Sequence, residues 1–339
     1  MADEAKLKLA LVGCGGIARA HWYGIQHFAP RIEVSAVVDV NEEAAKTFAE
    51  HVGAKPYTSL ERCLYEADLD ALDLMLPHHL HEWGASACFR AKKHVLLEKP
   101  IAMDVSTAER ILKGAKEAGI KLMVAEQAQY WMDVVKTRQL IDAGAIGDVI
   151  TARACFYDPL KPFDSDNLPW RFHLSKAGGG ISIDGGAHWI RPMRMMLGEI
   201  DEVVAATTRH IPEMEGESVA QAVLRFDSGV IGTFQAVQST GALGPIEDFR
   251  ITGKSGEIVI ERGREGRLML YNEANPQGQN VMSAFESKAA SYGVELADFA
   301  DHVLDDKPLA APPEYALGEL RTAIAMYRSV RTKRWEKVW

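Results

Sequence analysis

The sequence predicts an α/β fold: an N-terminal Rossmann domain with a doubly wound parallel sheet, then an α+β domain with an open, mostly antiparallel sheet. Three observations carry this. A short apolar strand, Leu7–Val12, runs into a Gly-x-Gly-x-x-Ala turn at Gly13, Gly15 and Ala18. Apolar strands and amphipathic helices then alternate to about residue 125. Beyond Gly147, segments rich in Val, Ile, Thr and Phe follow one another with few helices between them.

The glycine turn lacks two side chains, so the backbone can bend sharply and approach a pyrophosphate, while small Ala18 lets the next helix pack on the strand. Amides at that helix start point at the phosphates. Gly13, Gly15, Gly16, Ile17 and Ala18 are the cofactor residues expected there. A second strand, Glu33–Asp39, ends in an acid placed to accept hydrogen bonds from ribose hydroxyls. Asp39 would repel a 2′-phosphate, and Val40, Asn41, Glu42 and Glu43 offer no arginine to bind one, so NAD is expected rather than NADP. Arg19, just inside the first helix, is the residue most able to upset that choice.

A helix over Glu42–His51 comes next, then one opened by Ser59 and running to Glu66. Asp70–Leu76 reads as a strand stopped by Pro77, followed by a helix over Glu82–Ala91 and the strand His94–Leu97. A helix from about Ser106 to Ala118 and the strand Lys121–Ala125 complete the pattern. Near-continuous apolar strands between amphipathic helices mean a parallel sheet covered on both faces.

In the second half, strands are expected over Val149–Phe156, Asp201–Thr208, Val219–Phe226, Val230–Gln238, Phe249–Thr252, Glu257–Ile260 and Arg267–Tyr271. Turns such as Asp227-Ser228-Gly229 suggest antiparallel hairpins. Residues 285–305 and 315–331 read as helices. The expected division is 1–126 for the NAD-binding domain and 127–339 for a substrate-binding and oligomerisation domain, whose final helix packs back on the first.

At 339 residues the chain is long for one core. Its 47% apolar and 25% charged residues are those of a soluble globular protein. A net charge of −9 argues against nucleic-acid or anionic-membrane partners. Cys14, Cys63, Cys88 and Cys155 show no paired spacing, so neither a disulfide frame nor a metal site is expected. Nothing resembles a leader or a membrane span, and a cytoplasmic location is expected.

Two loops beyond strand ends join the glycine turn as candidate chemistry: Pro77–His81 and Glu98-Lys99-Pro100. A lysine facing a nicotinamide can hydrogen-bond a substrate hydroxyl or carbonyl oxygen; the alternative is a surface lysine before a turn proline. In Ala177–Arg191, three glycines allow close approach, and Asp184 and His188, four apart, would share one face of a helix. Histidine suits a general base for an alcohol proton. The carboxylate could orient the imidazole or hold a sugar hydroxyl; the alternative is an Asp–His pair sealing a helix. Tyr130, Trp131, Tyr157, Trp170 and Trp189 are candidate stacking platforms or core, and His173 reads as structural.

In order and spacing these features resemble the Gfo/Idh/MocA oxidoreductases over nearly the whole chain, including Leu140–Gly147, Trp170-Arg171 and the helix around Tyr327-Arg328. The resemblance implies that Lys99 binds and activates substrate at the nicotinamide, that His188 is the acid/base and that Asp184 binds substrate. It also implies that Pro77 and His81 line the cofactor, with Glu98 beside them. Substrate contacts are expected from Tyr130, Tyr157, Trp170, Arg171 and Arg191. The sequence departs from the family at Arg191-Pro192, where many members carry an acid at the first position, and at Gln127, Gln129 and Tyr130, where many have paired arginines. Arg191 is open to two roles, binding substrate or pairing with a neighbouring acid. The expected protein is an NAD-dependent dehydrogenase of a sugar, glycoside or cyclitol alcohol, without metal, acting as a homodimer or homotetramer. Its rivals are an NAD-retaining glycosidase, distinguished by no net NADH, and a non-catalytic dinucleotide or sugar sensor.

Overall fold

The computed structural model describes residues 5–242, 247–261, 266–282 and 288–339. They form two compact units, Met1–Gln127 with Ser287–Leu317, and Ala128–Glu286 with Gly318–Trp339.

The first unit begins β1 (Leu7–Val12), α1 (Gly16–Phe28), β2 (Ile32–Val38), α2 (Glu42–Val52), β3 (Lys55–Tyr57) and α3 (Leu60–Glu66). It continues with β4 (Ala71–Leu74), α4 (His81–Arg90), β5 (His94–Glu98), α5 (Val105–Ala118) and β6 (Leu122–Ala125). The sheet order is β3-β2-β1-β4-β5-β6, all parallel. Leu9, Leu11, Leu72, Leu74, Leu96 and Leu97 are fully enclosed, as strands covered on both faces must be. Side chains of Asn41, Ser59 and Asp104 accept amide hydrogen bonds at the starts of α2, α3 and α5, which sets where those helices begin. The edge strand β3 was not anticipated; it is short and carries Pro56, so it shows no alternation. Strand order reverses between β1 and β4, which puts the glycine turn at the switch point.

The second unit holds α6 (Met132–Asp142), β7 (Val149–Pro159), α7 (Leu174–Ala177), α8 (Ala187–Leu197), β8 (Ile200–Thr208), β9 (Val219–Phe226) and β10 (Ile231–Ser239). It goes on to β11 (Glu247–Gly253), β12 (Gly256–Glu261), β13 (Arg267–Asn272) and β14 (Asn275–Met282). After α9 (Lys288–Asp305), which belongs to the first unit, α10 (Ala316–Thr332) and β15 (Glu336–Lys337) close the chain's elements. The sheet order is β14-β13-β12-β11-β7-β10-β9-β8-β15. It is antiparallel except for the β7–β10 pair, which is parallel. On β9, buried Ala220, Ala222, Leu224 and Phe226 alternate with outward residues. That inner face joins Phe234, Phe249, Ile251 and Ile258 in one core with Ile190 and Met193 of α8.

The segment returning to the first unit is α9, whereas α10 lies in the second from Gly318 onward. The cause is a close crossing of α1 and α9, where a Cβ on Gly24 would lie 2.7 Å from the Gly293 amide nitrogen. Arg31 adds ion pairs to Asp301, at 2.7 Å, and Asp305. Residues 285–287 of the expected helix fall outside the described residues. Among those described, no helix is long and apolar enough to cross a membrane.

Candidate active site

Gly13 has φ +98°, and a Cβ there would overlap the Met75 carbonyl oxygen, so the turn pressed on the end of β4 requires glycine. At Gly15 and Gly16 a Cβ would meet nothing within 4 Å. No side chain caps the start of α1, so its leading amides suit phosphate. Asp39 braces the turn: its Oδ2 accepts the Cys14 N–H at 2.8 Å and its Oδ1 the Asn41 N–H at 2.8 Å. A carboxylate has about four acceptor sites, which leaves capacity for ribose hydroxyls. A half-open cavity of about 470 Å³ lies beside the turn, lined by Cys14, Arg19, Glu43, Thr47 and His51 among others. Glu43 brings a second acid to this cavity, and Arg19, the residue most able to upset the choice of NAD, lines it as well. Burial, then Asp39, pushes the Cys14 thiol up to about 12, so it is a neutral filler of the turn. These residues fit a dinucleotide.

Lys99 follows β5 and is half-buried. Its own N–H donates to Glu98 Oε2 at 3.1 Å. The His81 ring meets the carbonyl oxygens of Pro100 and Leu76, each at 2.9 Å. Glu98 and His81, the residues expected to line the cofactor beside Pro77, are 7% and 0% exposed. Their hydrogen bonds to the chain itself fix the loops that carry Pro77 and Lys99. Burial holds the His81 imidazole below its ordinary pKa.

In the second unit, α7 ends at Gly178 and a tight turn runs through Gly186 to α8. A Cβ at Gly179 would overlap the Tyr327 hydroxyl, and one at Gly180 would overlap the Glu217 backbone. These close approaches explain the run of glycines. The Glu217 carboxylate accepts the Gly180 N–H at 3.0 Å, the Ser182 N–H at 2.9 Å and the Tyr327 hydroxyl at 2.9 Å.

Asp184 falls in this turn, before α8 begins at Ala187, so the expected shared helical face with His188 is not formed. Instead Asp184 accepts Arg171 Nε–H at 2.7 Å, and the Arg171 guanidinium stands 4.3 Å from the Trp170 ring. His188 is in the first turn of α8, half-buried, with the Trp131 ring 6.3 Å away. Trp131 and Trp189 take the core alternative: they are 5% and 3% exposed, and Trp189 stacks on Phe156 at 4.1 Å. The Tyr157 hydroxyl donates to Gln235 Oε1 at 2.9 Å. Tyr130 and Trp170 are half-buried. Of the two roles open to Arg191, the structure shows the ion pair: it is 2% exposed and donates to Glu319 at 3.0 Å and to Gln129. Arg194 shares that Glu319.

Sequence reasoning missed Glu217, one of three alternating acids (Glu213, Glu215, Glu217) that read as a solvated turn, and Glu319, which has no motif around it. Tyr327 had a signal, since the family resemblance extends to its helix.

Residues 7–126 match the profile of the GFO/IDH/MocA oxidoreductase family, NAD-binding Rossmann fold. Residues 134–259 match the GFO/IDH/MocA C-terminal domain. The chain is similar to the myo-inositol 2-dehydrogenase of Thermotoga maritima, at 25% identity over 97% of each chain. It is 30% identical to the dTDP-3,4-didehydro-2,6-dideoxy-alpha-D-glucose 3-reductase of Actinomadura kijaniata over 68% of each. Among solved structures, an NAD binding oxidoreductase from Klebsiella pneumoniae aligns with a TM-score of 0.86 and 25% identity, over 99% of this chain and 100% of that one.

Proposed function

The chain belongs to the GFO/IDH/MocA family of NAD-binding oxidoreductases, and from this we propose that it interconverts a secondary alcohol and a ketone on a sugar, glycoside or cyclitol. The observation that carries the reading is the segment from Gly178 to His188. It offers a carboxylate and an imidazole on a rigid turn and helix start, neither fully enclosed. The name of a relative that acts on an inositol favours a polyhydroxylated substrate, and that of a reductase of a didehydro sugar nucleotide favours a ring ketone as the other side of the reaction.

Bound NAD+ supplies the hydride acceptor. The amides after Gly13 bind and neutralise its pyrophosphate, and Asp39 holds a ribose. His188 takes the proton of the reacting hydroxyl, and Lys99 donates a hydrogen bond to that same oxygen. Donors fixed in advance lower the barrier because negative charge develops on the oxygen. Asp184, steadied by Arg171, accepts a neighbouring hydroxyl. Trp170, Tyr130 and Tyr157 supply ring faces, with Arg171 at the edge. Arg191 is left out of the substrate set because its buried guanidinium is committed to Glu319 and Gln129. Self-association into a dimer or tetramer is part of this reading, since it would cover the outer face of the second sheet, where Thr151 and its neighbour Ile231 are exposed.

A screen of free sugars, glycosides and inositols with NAD+ and NADP+, reading reduced cofactor, tests the reading. Net NADH with at least one polyol is the expected result. Release of a glycoside's leaving group without net NADH would replace it with the glycosidase.

A further inference from the structure

His21 stands in the second turn of α1, the helix that follows the glycine turn, and is fully enclosed. Its Nδ1 lies 2.7 Å from Asp73 Oδ2 on β4, and its Nε2 lies 3.1 Å from Glu98 Oε1 at the end of β5. The other Glu98 oxygen accepts the Lys99 N–H at 3.1 Å. A continuous line of hydrogen bonds therefore leads from the nucleotide helix to the backbone of Lys99. On the far side of Lys99, the Pro100 carbonyl meets His81 at 2.9 Å.

An imidazole that donates to two carboxylates must carry both protons, since an ionised carboxylate only accepts; burial pushes the Asp73 carboxyl up, and His21 pulls it partly back down. Burial opposes the imidazolium charge, but Asp73 and Glu98 outweigh it and raise the pKa of His21 well above its ordinary value. From α9, the Tyr292 ring lies 5.2 Å from the imidazole. Glu295, also on α9, is buried with neither carboxylate oxygen hydrogen-bonded, and burial pushes its pKa well up. Asp73 and Glu98, and not Glu295, are therefore the acids that meet the imidazole nitrogens. The arrangement is more specific than packing requires, because an apolar side chain would fill the same space without tying three elements together.

We propose that His21 is a positioning residue, coupling the helix that receives the dinucleotide phosphates to the loop bearing Lys99 through Glu98. The proposal rests on the role of Lys99 in the proposed function. A residue that only braced the fold would change stability without changing how the folded protein presents Lys99.

The test uses His21→Asn, Glu98→Gln and Glu98→Ala in the full chain. Folding is followed by thermal melting, NAD+ affinity by calorimetry, and turnover by NADH absorbance. Acylation of Lys99 by an N-hydroxysuccinimide ester, read by peptide mass spectrometry, reports its placement without any substrate. His21→Asn and Glu98→Ala should lower kcat by about tenfold to a hundredfold, as expected for a misplaced group, and leave NAD+ affinity within about threefold. Lys99 acylation should change by about threefold or more as its surroundings alter, while exposed Lys46 and Lys337 react as before. Glu98→Gln keeps an acceptor for the Lys99 N–H and a partner for a neutral His21, and should retain most of kcat. Unchanged kcat and unchanged Lys99 acylation in folded His21→Asn would overturn the proposal. Should that variant not fold, the same result in Glu98→Ala would do so. If the wild type reduces no NAD+ with any alcohol, the proposed function fails, and the acylation comparison still decides the role of His21.

Discussion

The Glu217 carboxylate accepts the Tyr327 hydroxyl at 2.9 Å while holding the amides of Gly180 and Ser182. One acid thereby fastens the glycine turn to α10, and the turn delivers Asp184 and His188. Tyr327→Phe removes one hydrogen bond and should cost about 1 kcal/mol of stability. Glu217→Ala strips two amides of their acceptor and should cost about 2–3 kcal/mol. Both should lower kcat more than they change NAD+ affinity, since the turn belongs to the other unit. Urea unfolding alongside steady-state kinetics checks this, and an unchanged kcat in Glu217→Ala would separate the turn from the chemistry.

Asp39 braces the turn through Cys14 and Asn41, and the proposed function gives it a second job, repelling a 2′-phosphate. Wild type should bind NAD(H) more tightly than NADP(H). Asp39→Ala should narrow the gap by about tenfold or more, with part of the change coming from weaker NAD binding as the turn loosens. Side-by-side titrations in which the wild type prefers NADP would refute it.

Arg171 holds Asp184 at 2.7 Å with half of its own side chain exposed. Because the pair is partly solvated, Arg171→Ala should cost little stability. It should raise the substrate KM by about tenfold, because Asp184 loses its fixed position toward a hydroxyl. Equal KM values in the two proteins would take the pair out of substrate binding.

The pH dependence of stability follows from His21. Its folded pKa is raised, so its contribution is fully present below the unfolded value of about 6.5 and is lost as pH rises through the folded value. The stability gap between wild type and His21→Gln should therefore be widest near pH 6 and narrow at alkaline pH. Urea titrations across that range read the gap, and one that widened with rising pH would mean the ring is neutral in the fold.

Much of the first unit was legible because its signals are local. The glycine turn, Asp39 and the apolar strands each depend on neighbours within about twenty residues. The misplacements have distant causes. Asp184 leaves the helix because Glu217 and Tyr327 hold its turn, and Arg191 is buried because Glu319 reaches it from α10. The return of α9 to the first unit depends on Gly24 meeting Gly293, a fit between helices that no periodicity encodes. Helix α6 went unread because Asp133 and Thr137 share its buried side with Val134, which blurs the apolar stripe.

The division of labour between Lys99 and His188 is the centre of the account, and it is tested most directly by kcat for NADH formation in wild type, Lys99→Ala, His188→Ala and the double variant. Each single change should lower kcat by about a hundred- to ten-thousand-fold while leaving NAD+ binding nearly intact. The double variant should lose far less than the product of the two effects, because the proposed function has both groups acting on one proton transfer. Lys99→Arg should not rescue, since a guanidinium keeps its charge and matches a different geometry. A near-normal kcat for His188→Ala across the pH range would contradict the account and remove the histidine from the chemistry.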